Sequence, residues 1–232
     1  MPYYLDENGN RVFIGFAYNA SQGNNWTGND YIAPQGEEVR FVVNNKTFVD
    51  VEGHWAEEYI DFVAEREVFI GMANSVFGPD TTLTRAMFIT IMGRLYERSY
   101  GFIIPSGEKV FTDCDYEEYY AKYLDWATEA GIILGYGNGR FGPSDEITRE
   151  QMALIISRFA SYLGFMPEEL DTVLRYADTD AIAQWATQGA LFCQSAGLIM
   201  DTDFRPQSIA TRAEAAVLLT RFIKFVITRK NA

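Results

Sequence analysis

Histidine and cysteine are nearly absent from this sequence: His54 is the sole histidine, and Cys114 and Cys193 are the sole cysteines, of 232 residues. One histidine excludes a multi-histidine metal centre and leaves a single candidate base for a Ser or Cys nucleophile. The two cysteines stand far apart in no metal-like spacing and read as buried or semi-buried thiols, with a disulfide left open. No apolar run reaches the roughly 18 residues of a membrane-spanning helix. Positive charge is scarce, with 19 Lys and Arg against 32 Asp and Glu and a net charge of −13. That balance argues against a broad nucleic-acid surface and against non-specific adsorption on an anionic membrane. An anionic ligand would need a locally basic pocket. A signal-peptide pattern is missing too: Met1 runs directly into strand-like PYYLDENGN, so an exported form would be a mature chain or an excised part. The ending ITRKNA reads as a natural C-terminus.

What the sequence does hold is apolar and aromatic content typical of a folded chain, at a length that buries a proper core. Residues 1–47 read as a small β-subdomain. YYLDENGNRVFIGFA alternates around Asp-Glu-Asn-Gly-Asn, a strand–turn–strand signal. A second pair, YIAP and EEVRFVV, follows the polar loop NASQGNNWTGND. Asp6, Asn8 and Asn10 are spaced like the start of a calcium loop, but the glycine is misplaced and no closing Glu follows, so the hairpin turn is favoured.

From Phe48 onward the chain repeats itself three times, over residues 48–98, 111–162 and 176–225. Phe48-x-Asp50, Phe111-x-Asp113 and Tyr176-x-Asp178 open the copies, and Trp55, Tyr119 and Trp185 follow. Phe77-Gly-Pro79, Phe141-Gly-Pro143 and Phe204-Arg-Pro206 each begin eight residues before an arginine: Arg85, Arg149 and Arg212. A threonine precedes each of these arginines. The third copy has a shorter loop, with Asp201 where the others have Gly71 and Gly135. Each copy predicts two helices. The first carries apolar residues at helical spacing and closes on Gly131 or Gly197, whereas the first copy has Glu67 there. The second is N-capped by Thr84, Thr148 or Thr211, with a full capping box through Gln151 and Glu214 but not through Met87. Long stripes such as Phe88, Ile91 and Leu95 predict that the three second helices bury against one another as a pseudo-threefold core.

An arginine in the first turn of a helix opposes the dipole, at a cost of roughly 0.3–1 kcal/mol. Three identical placements call for a reason. A bound carboxylate is one, since the guanidinium offers bidentate donors and a helix N-terminus adds unpaired N–H groups. The competing reading pairs each arginine with an aspartate of its own or a neighbouring copy. Asp50, Asp113 and Asp178 suit either sugar hydroxyls or the arginine. Trp55 and Trp185, at helical spacing, read on physics alone as core. Gly71 and Gly135 read as loop residues needing positive φ. His54 reads as a structural polar residue at a helix start.

These residues resemble the S-layer homology (SLH) family: FVDVEGHWA…FGPDTTLTRAM, FTDCDYEEYYA…FGPSDEITREQ and YADTDAIAQWA…FRPQSIATRAE follow its pattern of F-x-D, H-W-A, glycine loop, F-x-P and I-T-R-A-E. Met87 and Gln151 replace the final Glu, and Tyr119 replaces Trp. The resemblance implies a mainly α fold: three tandem helix-loop-helix motifs in a pseudo-threefold three-pronged bundle over residues 48–232, with one groove between each pair of neighbours. It implies an extracellular protein of the cell wall or S-layer, held non-covalently to anionic secondary cell-wall polysaccharide, typically through pyruvylated amino-sugar ends. The implied binding set is Arg85, Arg149 and Arg212, with Asp50, Asp113 and Asp178, the groove aromatics Trp55, Tyr119 and Trp185, and the loop glycines Gly71 and Gly135. It implies a place within a larger surface protein; no catalytic residue, metal, cofactor, nucleic acid or membrane insertion is expected of the chain. Two other functions compete: a protein–protein assembly module, and a cell-wall glycoside hydrolase. For the latter, acids such as Glu57-Glu58, Glu117-Glu118 and Glu168-Glu169 read as solvated helix faces rather than a catalytic pair.

Overall fold

A computed structural model describes residues 1–16, 34, 36–72 and 75–230. Among them the fold is mainly α. Three short strands, β1 (Pro2–Leu5), β2 (Arg11–Phe13) and β3 (Arg40–Phe41), precede six helices. These are α1 (Glu57–Glu65), α2 (Arg85–Tyr100), α3 (Ala121–Glu129), α4 (Arg149–Leu163), α5 (Thr187–Ser195) and α6 (Arg212–Lys230). Each repeat supplies one short and one long helix, as its periodicity predicts.

The chain divides into two compact units, one of Met1–Thr81, Ile91–Ile103 and Arg212–Ala232, the other of Thr82–Thr90 and Ile104–Thr211. In the first, β1 pairs antiparallel with β2 and with β3. Asp6 closes the β1–β2 turn by accepting from the N–H groups of Asn8 and Asn10 at 2.9 and 2.7 Å. The acid that resembled a calcium ligand is therefore occupied with the hairpin. β3 lies within the expected strand EEVRFVV but pairs with β1; the other half of that expected pair, Tyr31 to Ala33, and the polar loop lie outside the described residues. The N-terminal segment is fastened to α2 by backbone and side-chain bonds. The Tyr4 hydroxyl donates to the Glu97 carbonyl at 3.0 Å, and the Phe16 N–H to the Ser99 hydroxyl at 3.0 Å. Phe16 also packs edge-on against Phe222 of α6. In the same unit α1 packs on α6.

The second unit is built on α4 packed against α5. It also holds a feature that no periodicity announces. Leu83, Ile147 and Ala210, each directly ahead of the threonine that precedes a long helix, form a closed triangle of backbone hydrogen bonds. The N–H of Leu83 donates to Ala210, that of Ala210 to Ile147, and that of Ile147 to Leu83, at 3.1, 2.9 and 2.9 Å. All three side chains are fully buried. One segment of each repeat thus meets the other two in cyclic order. The two cysteines are free, Cys193 buried and Cys114 half-buried.

The helix ends follow local chemistry. Thr148 forms a reciprocal capping box with Gln151, while Thr84 accepts from the Met87 N–H and has no return partner in the apolar Met87 side chain. His54 accepts from the Ala56 N–H at the start of α1, the structural place read for it. Past the first helices, Gly131 and Gly197 take φ of 69° and 65°, and Glu67 takes the same left-handed conformation at 54°. A side chain there costs roughly 1–2 kcal/mol. Lys46 and Arg98 hold the Glu67 carboxylate at 3.1 and 3.3 Å, which offsets part of that cost. Glu67→Gly and Glu67→Ala both lose these ion pairs, but only glycine relieves the backbone. The glycine variant is expected to exceed the alanine variant by about 1 kcal/mol in urea unfolding. Equal stabilities would show that the conformation carries no strain.

Candidate ligand-binding site

The three aspartates do the same job in each repeat. The Asp50 carboxylate accepts from the N–H groups of Phe77 and Gly78 at 2.8 and 2.6 Å. Asp113 accepts from Phe141 and Gly142 at 2.8 and 2.9 Å, and Asp178 from Phe204 and Arg205, both at 2.6 Å. Two successive N–H groups point at one carboxylate because the middle residue of each F-x-P loop is left-handed: Gly78 at 71°, Gly142 at 72° and Arg205 at 55°. This is a small anion nest filled by the protein's own carboxylate. Each aspartate thus has a loop-holding role, whatever else it touches.

That loop then receives the arginine of another repeat. Nε of Arg85 donates to the Phe141 carbonyl, Nε of Arg149 to Phe204 and Nε of Arg212 to Phe77, at 2.8, 2.8 and 2.7 Å. The arginines stand first in α2, α4 and α6, and they are only 5%, 4% and 7% exposed. Their guanidiniums lie over aromatic faces: Arg85 over Tyr136 and Phe141, Arg212 over Phe69 and Phe77, all within 4.8 Å of the ring centres. Burial lowers the affinity of Arg85 and Arg212 for their protons, the latter to about 10, so Arg212 remains a cation at neutral pH.

The helix N-termini differ from expectation. Their leading N–H groups are spent on the same loops: Arg85 and Ala86 donate to the carbonyls of Asp145 and Pro143, Arg149 and Glu150 to Ser208 and Pro206, and Arg212 and Ala213 to Thr81 and Pro79. The next N–H of α2 and of α4 goes to the capping threonine. An incoming anion therefore finds the guanidinium rather than backbone donors. Sequence reasoning assigned those N–H groups to a ligand because it saw one helix at a time.

Arg85 lines a cavity of about 440 Å³. Trp185 of the third repeat, and Gly135, Tyr136, Gln151 and Arg158 of the second, share its wall with aliphatic residues. Among the described residues that line it, none is acidic. Arg149, Arg212, Asp50, Asp113 and Asp178 are not in this lining, and neither are Trp55, Tyr119 or Gly71.

Trp55, Tyr119 and Trp185 are 63%, 54% and 52% exposed, which overturns the core reading of their spacing. The physical reason is register: α1, α3 and α5 begin two residues after each of them, so they stand ahead of the helix rather than on its buried stripe. Gly135 has the expected positive φ of 66°, but Gly71 does not; a side chain at Gly71 would instead lie 2.4 Å from the Phe48 ring. Close packing, not turn conformation, explains that glycine. Arg158 was missed. The available signal was its spacing, nine residues after Arg149, which Arg94 and Arg221 repeat after Arg85 and Arg212.

A triplicated helix–loop–helix unit, with an aspartate clamping each F-x-P loop and an arginine docked on each loop carbonyl, defines a tandem-repeat helical protein. A sequence model of the S-layer homology domain matches residues 47–87, 111–153 and 175–216, more than half of the chain. The chain belongs to the S-layer homology domain family. It is 32% identical over 223 residues, 92% of its own length and 20% of the relative's, to exoglucanase XynX of Acetivibrio thermocellus. It is 34% identical over 115 residues to the cellulosome-anchoring protein of the same organism, covering 48% of this chain and 25% of that one. An S-layer protein of Bacillus licheniformis is 25% identical over 174 residues, covering 74% and 19% respectively. The chain spans a fifth or less of the length of exoglucanase XynX and of an amylopullulanase, an endoglucanase and a xylanase that it also matches.

The clamping aspartates give stability a pH dependence. Burial pushes the Asp50 and Asp113 carboxyls up, but the paired N–H groups outweigh it and hold both below the ordinary value of 3.8. A lowered folded value means that their contribution is complete above about pH 4 and is lost as pH falls through the folded value. The double variant Asp50→Asn, Asp113→Asn is expected to lose about 1 kcal/mol per site in urea unfolding at pH 7. It should also show a shallower loss of stability between pH 4 and pH 2. Parallel slopes in wild type and variant would refute the clamp.

Proposed function

We propose that this chain is a non-covalent anchor at the bacterial cell surface, extracellular, which binds anionic secondary cell-wall polysaccharide through a pyruvylated amino-sugar end. The observation that carries this reading is the acid-free cavity at Arg85, in a protein of net charge −13. Arg85 and Arg158 are the only charged residues among the described residues of that wall; Asp113 and Asp145 act on Arg85 from outside the lining. A pyruvyl ketal presents a single carboxylate on a sugar ring. The guanidinium matches that carboxylate in charge and fork geometry. Trp185 and Tyr136 offer flat faces for the ring, and Gln151 a neutral hydrogen-bonding group for hydroxyls.

The similarity to S-layer proteins and to a cellulosome-anchoring protein supports the surface role. The glycosidases among the relatives are four or more times longer than the matched part, so the anchor reading assigns catalysis to other parts of such proteins. A two-carboxylate hydrolysis would need acids in the cavity wall, whereas Glu58, Glu117, Glu118, Glu168 and Glu169 are exposed, the last four in turns and bends rather than on helices.

The test is calorimetry with a pyruvyl-ketal N-acetylhexosamine glycoside, alongside sedimentation with isolated cell wall before and after chemical removal of the ketals. Arg85→Ala is expected to weaken binding 10- to 100-fold, the worth of a charge-assisted pair. Removal of the ketals should have a comparable effect. Equal binding to both walls would refute the carboxylate assignment, and turnover of the polymer would refute the anchor.

A further inference from the structure

The three arginines occupy one fold position, yet their outer nitrogens meet different partners. Arg85 and Arg149 both stand first in a helix and both donate from Nε to a phenylalanine carbonyl at 2.8 Å. Beyond Nε they diverge. Among the described residues, Nη1 and Nη2 of Arg85 donate to no acceptor, and the loop beside it carries Gly135, without a side chain. Nη2 of Arg149 meets Oδ2 of Asp201 at 3.0 Å. Asp201 is the residue that replaces that glycine in the third repeat. Arg212 is intermediate, since its Nη2 donates at 3.0 Å to the Ile70 carbonyl, a neutral acceptor, while the Asp50 carboxylate acts on it without a direct ion pair.

We propose that Asp201 is a resident counter-ion, which occupies the guanidinium of Arg149 as a ligand carboxylate would and closes that position to anions. The proposal rests on the reading of the arginine as a carboxylate receptor and goes beyond it, because it makes the three copies unequal and names the residue responsible. The chemistry favours the pair. Asp201 is half exposed, so its carboxylate keeps much of its hydration, while Arg149 is buried and held in place by the Phe204 carbonyl. The pair gains Coulomb attraction without the full desolvation cost of a buried acid. Arg205 adds a second cation, 3.7 Å from the same oxygen. An acid tethered on the same loop competes at an effective concentration of about millimolar or more. A ligand carboxylate must displace it before it can bind.

The experiment is calorimetric stoichiometry with the pyruvyl-ketal N-acetylhexosamine glycoside on the whole chain, with thermal melts in parallel. Asp201→Asn and Asp201→Gly are each expected to gain one site per chain relative to wild type, or at least a tenfold rise in affinity at a second site. Adding Arg149→Ala to Asp201→Asn should remove the gained site and leave the wild-type one. If wild type binds, and both Asp201 variants melt like wild type but gain nothing, the counter-ion proposal fails while the anchor reading stands. A gained site that survives Arg149→Ala also overturns it. Absence of binding in wild type and in every variant overturns both.

Discussion

A cyclic relation, rather than any one helix, organises the second unit of this protein. Leu83, Ile147 and Ala210 donate and accept around a buried triangle, and each is followed at once by a threonine and then by the motif arginine. Buried backbone groups must be paired, so each corner depends on the other two. The same logic extends outward. The first N–H groups of each long helix are satisfied by carbonyls of another repeat's F-x-P loop, and that loop is held in shape by its aspartate. Helix start, loop and arginine are thereby positioned together. The arginine's burial against the helix dipole is offset by the phenylalanine carbonyl and the aromatic faces around it.

On this scaffold small changes at one position alter the electrostatics of a whole site. A glycine beside Arg85 leaves an acid-free cavity, and an aspartate beside Arg149 supplies a partner within the chain. The repeats therefore share a backbone plan without sharing a charge plan. That separation allows a triplicated fold to carry unequal sites while each aspartate clamps its loop in the same way.

Much of this was legible in the sequence. The F-x-D, F-x-P and Thr-Arg spacings gave the three copies, the helix pairs and the caps at Thr84 and Thr148, because those depend on residues near one another in the chain. The failures were of two kinds. Trp55 and Trp185 fit a helical stripe by spacing, but the helices start just beyond them, and one residue of register separates core from surface. The N–H groups of the helix starts, the reason for Gly71 and the part played by Arg158 depend on segments 50 or more residues away or on close packing across a loop. No local pattern reports such partners. Glu67 shows a third case: the sequence marked it as irregular, and the structure shows that it accepts a glycine's conformation with its carboxylate held by Lys46 and Arg98.

The backbone triangle makes the three copies a closed set. A ring in which each member donates to one neighbour and accepts from the other has no first or last copy, so any rotation of the order preserves every bond. It does not survive the loss of a member, because a missing corner leaves one buried donor and one buried acceptor unpaired in the two that remain. The ring is therefore complete only with all three copies present, and residues outside it can differ between copies while the backbone partners stay the same.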